Sequence, residues 1–446
     1  MRTSRRDFLL LATASLLRGD DRPKRDMLVR SVRPEDLEMP LSGFADYLTP
    51  IEHFFVRTHV YVPTVALNDW RLNVAGSVAA PLTLTMDDLR KLPAVELVGV
   101  LECAGNGRAF YQPAVPGMQW GHGAVGNARW RGVRLADVLK RAGLKTSARA
   151  ILFDGVDVPL GTMPDFQRSL PVEKALDPNT LLAYEMNGET LPVKHGFPLR
   201  VVAPGWAGDI WIKWLTSIRV LDQESDGFWM KSAYRHPARP VPPGIAIPAD
   251  RMEPVTNLRV KSVIASPLDG AQLAPGRPTT IRGVAWGTDP VVSVEVSTDG
   301  GRSWKTAALQ SGQRTRFGWR QWEFAWTPPQ AAYYTILARA RDAAGNTQPL
   351  DQEWNPSGYL WNVVPRVRVN VGDAPPAAAV TSSVTSPPSP PAQFSNCVIC
   401  HNDDVIRQQR LTRAQWSGEI NKMTGWGARV DDAGRDALLD YLEKLR

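Results

Sequence analysis

The sequence predicts three folded units in tandem: an α+β domain, a β-sandwich and a small all-α unit. Three observations carry this. Between residues 30 and 250, short β-rich runs alternate with short helical ones. From 257 to 370 the apolar period drops to two and turn signals recur. A Pro/Ala/Ser/Thr-rich stretch, 373–393, then separates a final segment, 394–446, whose leucines recur at helical spacing. The chain has 446 residues, consistent with about three domains at roughly 150 residues each.

The N-terminal end reads as a leader. Ser4-Arg5-Arg6-Asp7-Phe8-Leu9 runs into Leu10-Leu11-Ala12-Thr13-Ala14. Paired arginines before a short apolar stretch are the pattern of a twin-arginine export signal, and residues 1–25 are assigned to it. A periplasmic location follows as an expectation. The apolar run Phe8 to Leu17 falls far short of the roughly 20 residues a membrane-spanning helix needs. Of the net charge of +7, residues 1–33 contribute +5, so no basic face for nucleic acid is expected.

In the α+β region, strands are expected at Val95 to Leu101, Ala150 to Phe153, Leu199 to Val202 and Ile218 to Leu221. Helices are expected at Met86 to Lys91, after Thr85, and at Leu135 to Ala142. In the second unit Val292, Val294 and Val296 alternate with Ser293, Glu295 and Ser297, which places the three valines on one face. Tyr334, Ile336, Ala338 and Ala340 alternate in the same way, and Asp299-Gly300-Gly301 is a hairpin turn signal. Several such strands suggest a β-sandwich.

The last unit is too short for a self-sufficient core and needs a staple. Cys397-Val398-Ile399-Cys400-His401 supplies one, because Cys-x-x-Cys-His is the attachment pattern of c-type haem. Two thiols meet the haem vinyl groups, and His401 offers an imidazole to iron. Met423, the only methionine after Met252, is the candidate sixth ligand, and His/Met ligation suits electron transfer. A zinc site lacks a second ligand pair, since no Cys or His follows His401. A dithiol lacks a preceding strand; a structural disulfide is the remaining alternative. Leu438, Leu439, Leu442 and Leu445 form one face of a closing helix after Asp431 and Asp432.

Cys103 is the one other cysteine. It leaves an apolar strand for Ala104-Gly105-Asn106-Gly107-Arg108. The residues alone permit either a buried inert thiol or a reactive thiolate near a cation.

Leu101-Glu102-Cys103-Ala104-Gly105-Asn106 resembles the molybdenum-binding segment of the sulfite oxidase family. Four further segments resemble the family in its order: Phe54 to His59, Gly126 to Val133, Leu182 to Glu189, and His195 to Gly205 continuing to Ile212-Lys213-Trp214-Leu215. The resemblance implies a sulfite-oxidase-type molybdopterin domain over 30–250 and an immunoglobulin-like dimerisation domain over 257–370. A cytochrome c-like unit would complete the chain at 394–446. It implies that Cys103 binds molybdenum and that Tyr234 hydrogen-bonds the reacting centre. Arg57 and Arg108 would make an anion pocket, and His59, Asp157, His195, Arg200 and Lys213 would hold the pterin. The implied activity is oxidation of sulfite to sulfate, with single electrons passing through haem to an external cytochrome c, in a homodimer. Sulfane-sulfur oxidation, nitrate or sulfoxide reduction, and a haem carrier or structural dimer with a vestigial molybdenum site are the other readings. Ser357 stands where animal and plant members have an arginine in Trp-Asn-x-Arg-Gly, which removes one positive charge from the implied pocket. A linker of about 21 residues reaches at most roughly 70 Å, and the haem unit is expected to be mobile.

Overall fold

The computed structural model describes residues 23–313, 315–372 and 389–445. The twin-arginine segment and most of the 373–393 stretch lie outside them.

The first domain is built on two five-stranded sheets. In one, Ala94–Glu102 pairs antiparallel with Val125–Arg134, which pairs with Leu181–Met186; Glu189–Thr190 and Arg200–Val202 both flank the last strand. In the other, Leu215–Leu221 lies between Leu72–Gly76, parallel to it, and Ala150–Gly155, antiparallel. Leu82–Leu84 and Arg168–Pro171 close its edges. One core, including Trp70, Leu72, Val74, Trp130, Leu139, Ile151 and Ile218, joins the sheets and the helix Leu135–Ala142. That helix buries Leu135, Val138, Leu139 and Ala142, the spacing of a single helical face, and stops at Gly143 with φ +70°. Helix Met86–Arg90 begins at Thr85, whose hydroxyl accepts from the Asp88 amide while Asp88 reaches back to the Thr85 amide.

The second domain stacks a four-stranded sheet (Lys261–Ser266, Thr279–Trp286, Arg320–Trp326, Ala308–Leu309) on a five-stranded one (Ala271–Leu273, Arg366–Val371, Ala332–Asp342, Val291–Ser297, Lys305–Thr306). Ile281, Val294, Val296, Trp322, Ile336, Ala338 and Val369 fill the space between them. Gly300 and Gly301 take φ of +76° and +96° in the expected hairpin. One expectation fails. Val292 is 53% exposed, because an irregularity between Val291 and Ser293 turns Val291 inward in its place.

Four helical segments follow: Phe394–Cys397, Asp404–Arg407, Arg413–Gly425 and Asp432–Glu443. Leu438, Leu439 and Leu442 pack with Phe394, Ile406, Trp416 and Ile420, with Leu445 partly buried beside them. Asp431 caps the closing helix through the Gly434 amide.

The structure seats this unit on the first domain. Asp404 accepts from the Val32 amide (2.8 Å), and Arg33 donates to Val398 O (2.7 Å). Gln119 joins Gln408 and Gln409, and Gln415 donates to Ala114 O. Polar and apolar complementarity between the two surfaces, invisible in linker composition, sets this placement. No helix among the described residues is long and apolar enough to cross a membrane.

Candidate active site

Cys103 sits where strand Ala94–Glu102 gives way to a tight turn. Its amide donates to Ala124 O (2.9 Å) and its carbonyl accepts from the Asn106 amide (2.9 Å), so the turn is fixed from both ends. The thiol is free and half-buried. It lines a cavity, partly open to solvent, together with Arg57, His59, Asp157, His195, Arg200, Lys213 and Tyr234. These eight residues, from six separate stretches of the first domain, thus meet in one place.

Each group is held by the chain around it. Buried Phe54 and Phe55 anchor the loop that delivers Arg57. One Arg57 nitrogen donates to both Asp36 carboxylate oxygens (3.2 and 3.1 Å). His59 stacks on Phe166 (3.7 Å between ring centres, 22°), and its Nε2 lies 2.8 Å from the Tyr234 hydroxyl. Tyr234 has φ +50°, a strained backbone for a bulky residue, and is buried between its neighbours. Lys213 Nζ donates to Arg57 O (2.9 Å) and Lys194 O (3.1 Å). Arg200 donates to His195 O and Trp211 O, while its buried Nε has no partner.

Electrostatics favour an anionic occupant. Arg57, Lys194, Arg200 and Lys213 line the cavity against the carboxylates of Asp157 and Asp209. Burial, with Arg200 nearby, lowers Lys213 to about 7, and burial lowers Arg200 to about 9. An anion beside them offsets that cost. Burial, then Arg57, holds His59 neutral well below the usual histidine range, and burial holds Tyr234 protonated. Burial pushes the Cys103 thiol up, while the Gly105 amide, Arg57 and Arg108 pull it down; a bound cation would complete its ionisation.

Arg108 does not line the cavity. Its guanidinium threads between Gly105, Gly117 and Gly358, where any Cβ would come within 2.8 Å of it. It donates to Met118 O and Ser357 O and lies over the Tyr359 ring (4.9 Å). Tyr359 in turn stacks on Tyr234 (5.3 Å, 15°). The guanidinium therefore sits one ring behind the wall, and the Ser357 backbone helps hold it there.

Sequence reasoning missed several participants. Asp36 orients Arg57 from 21 residues away. Arg168 and Asp209, 0% and 1% exposed, form an ion pair at 2.6 Å, and Arg168 lies 5.0 Å from the Tyr234 ring centre. Lys194 is adjacent to His195 and could have been read with it. Lys24 was placed in the leader, yet its ammonium lies 2.7 Å from His195 Nε2 and donates to Ile51 O and Phe54 O. The folded domain therefore begins before residue 25.

In the C-terminal unit Cys397 is half-buried, Cys400 is exposed, and both thiols are free. His401 Nδ1 donates to Asn402 O (2.9 Å), leaving the Nε2 lone pair for a metal. Met423 lies on helix Arg413–Gly425.

The oxidoreductase molybdopterin binding domain family matches residues 59–229, and the Mo-co oxidoreductase dimerisation domain family matches 252–372. Sulfite oxidase of Arabidopsis thaliana is 34% identical over 378 residues, covering 77% of this chain and 94% of that protein. The chain belongs to the sulfite oxidase family. Mitochondrial sulfite oxidase of Mus musculus is 38% identical over 360 residues, 77% of this chain and 65% of its own length. The chain thus spans somewhat under two thirds of the mammalian member. The structure of the sulfane dehydrogenase SoxCD from Paracoccus pantotrophus superposes with a TM-score of 0.65 at 27% identity, covering 81% of this chain and 92% of that one. A molybdenum–pterin cofactor is the family's group, and the residues present fit it. The unpartnered Arg200 Nε, the cost of keeping Lys213 charged and the Cys103 thiol match an anionic, hydrogen-bonding ligand with a thiolate-bound metal.

Proposed function

We propose that this protein oxidises sulfite to sulfate and passes the electrons, one at a time, through a covalent c-type haem on residues 394–446 to an external cytochrome c. The carrying observation is Cys103 in a cation-lined cavity with a Cys-x-x-Cys-His unit docked on the same domain. The overall change is sulfite plus water to sulfate, two protons and two electrons. The molybdenum–pterin group supplies the two-electron oxidation, and the haem supplies the one-electron carrier.

The chain's residues do the rest. Arg57, its charge secured by Asp36, attracts and orients the substrate anion. His59 and Tyr234 are both neutral and share a hydrogen bond; in the tautomer whose Nε2–H donates to the phenol oxygen, Tyr234 keeps its own proton for the cavity without adding charge. Lys213, Lys194 and Arg200 offer cations to the phosphate-bearing end of the cofactor. His401, Met423, Cys397 and Cys400 would hold the haem. Export by the twin-arginine route to the periplasm and assembly as a homodimer through 257–370 belong to the same proposal; the dimerisation-domain match supports the latter.

Replacing Cys103 by Ser abolishes sulfite turnover while leaving the haem loaded; substantial turnover in that variant overturns the assignment. The likeness to SoxCD favours a second reading, dehydrogenation of protein-bound sulfane sulfur. Turnover of a sulfane-loaded carrier protein with none of sulfite would select it.

A further inference from the structure

An aromatic contact joins the C-terminal unit to the back of the cavity. Trp426 follows helix Arg413–Gly425, and its amide donates to Met423 O (3.1 Å), three residues earlier. Its ring packs against Phe228 (5.8 Å, 82°) and Trp229 (6.1 Å, 47°) of the first domain. Trp229 lies 6.2 Å from the Tyr234 ring and 5.3 Å from the His59 ring. Its Nε1 donates to Pro164 O, and nearby Thr162 donates to Gly425 O (3.0 Å). The loop that carries Asp157 and Phe166 therefore grips both tryptophans' surroundings. Packed rings run without a gap from the cavity wall to the helix that bears Met423.

We propose that the Trp229–Trp426 contact is the passage by which electrons leave the cavity for the C-terminal unit, a role that rests on the haem reading above. One electron crosses at a time, and no bond forms or breaks at either ring. Two crossings clear the two electrons of one sulfite, and the two protons leave through solvent. The placement also explains the docking. A swinging carrier would need no fixed partner, whereas this unit is held by hydrogen bonds at Gln119, Ala114 and Val32 as well as by the aromatic contact.

The test uses the full, cofactor-loaded chain with Trp426→Leu, Trp426→Phe and Gln415→Ala. Two signals are followed after anaerobic mixing with sulfite: haem reduction and the sulfate formed in the first turnover. In Trp426→Leu haem reduction loses most of its rate. The first equivalent of sulfate still forms at the unaltered rate. Trp426→Phe recovers much of the loss. Gln415→Ala, which removes a docking hydrogen bond away from the rings, leaves haem reduction unaltered. Unchanged haem reduction in Trp426→Leu, or an equal slowing in Gln415→Ala, overturns the passage. An unaltered chain that carries no covalent haem overturns the underlying reading instead, and a haem-staining gel separates that case.

Discussion

Lys261→Met tests how the second domain supports Cys103. Glu102, the residue before Cys103, is 5% exposed at its side chain and Lys261 is 6% exposed. Lys261 Nζ lies 2.5 Å from Glu102 Oε1, Trp286 Nε1 donates to Oε2 (2.7 Å), and Asn106 donates to Oε1 (2.9 Å). The carboxylate thus takes its only cation in this group from the second domain. Removing one partner of a buried ion pair costs about 3–5 kcal/mol, because the other charge stays buried. Two surviving hydrogen bonds to Glu102 place this case near the lower end, about 3 kcal/mol. Chemical denaturation followed by tryptophan fluorescence reads it as a lower midpoint. The double variant Glu102→Gln/Lys261→Met removes both charges and recovers most of the loss. A Lys261→Met midpoint within about 0.5 kcal/mol of the unaltered chain, the range of an ordinary surface change, refutes the argument.

Other outcomes follow from the same geometry. Arg57→Lys keeps a cation for Asp36 but loses the guanidinium fork; KM for sulfite should rise by about 10- to 10²-fold, matching roughly 1.5–3 kcal/mol for charge-assisted hydrogen bonds, and an unchanged KM counts against Arg57 as the anion anchor. Tyr234→Phe deletes the hydroxyl bonded to His59, and kcat should fall by about 10²-fold or more; stopped-flow turnover at saturating sulfite checks it. Lys213 is lowered from 10.5 to about 7 in the folded protein. Between those values the unfolded chain binds the extra proton, so cofactor-free protein should gain stability as pH rises from about 7 toward 10.5. That rise should vanish in Lys213→Met, as melting curves across pH would show. Cys397→Ala/Cys400→Ala should lose covalent haem and reduction of cytochrome c, read on a haem-stained gel and in a cytochrome assay.

The parts of the fold set by local chemistry were legible in the sequence. Helix Leu135–Ala142 shows its buried face and its glycine stop, and Thr85 with Asp88 announces helix Met86–Arg90. The Asp299-Gly300-Gly301 turn joins its strands as the turn signal requires. Val292 misled because alternation alone does not reveal a bulge that shifts register. In the site, motif segments supplied Cys103, Arg57 and Lys213. The residues that support them come from elsewhere: Asp36 behind Arg57, Arg168 with Asp209 under Tyr234, Tyr359 between Tyr234 and Arg108. These pairings depend on which strands become neighbours, and no local pattern encodes that. The docking of Trp426 on Trp229 is likewise a property of two finished surfaces.

The most direct measurement is anaerobic mixing of the oxidised, cofactor-loaded protein with sulfite while following the haem α-band. The account predicts prompt haem reduction at low sulfite in the unaltered chain and none in Cys103→Ser. A haem that stays oxidised in the unaltered chain, with molybdenum present, would contradict sulfite oxidation through this cavity and the C-terminal unit.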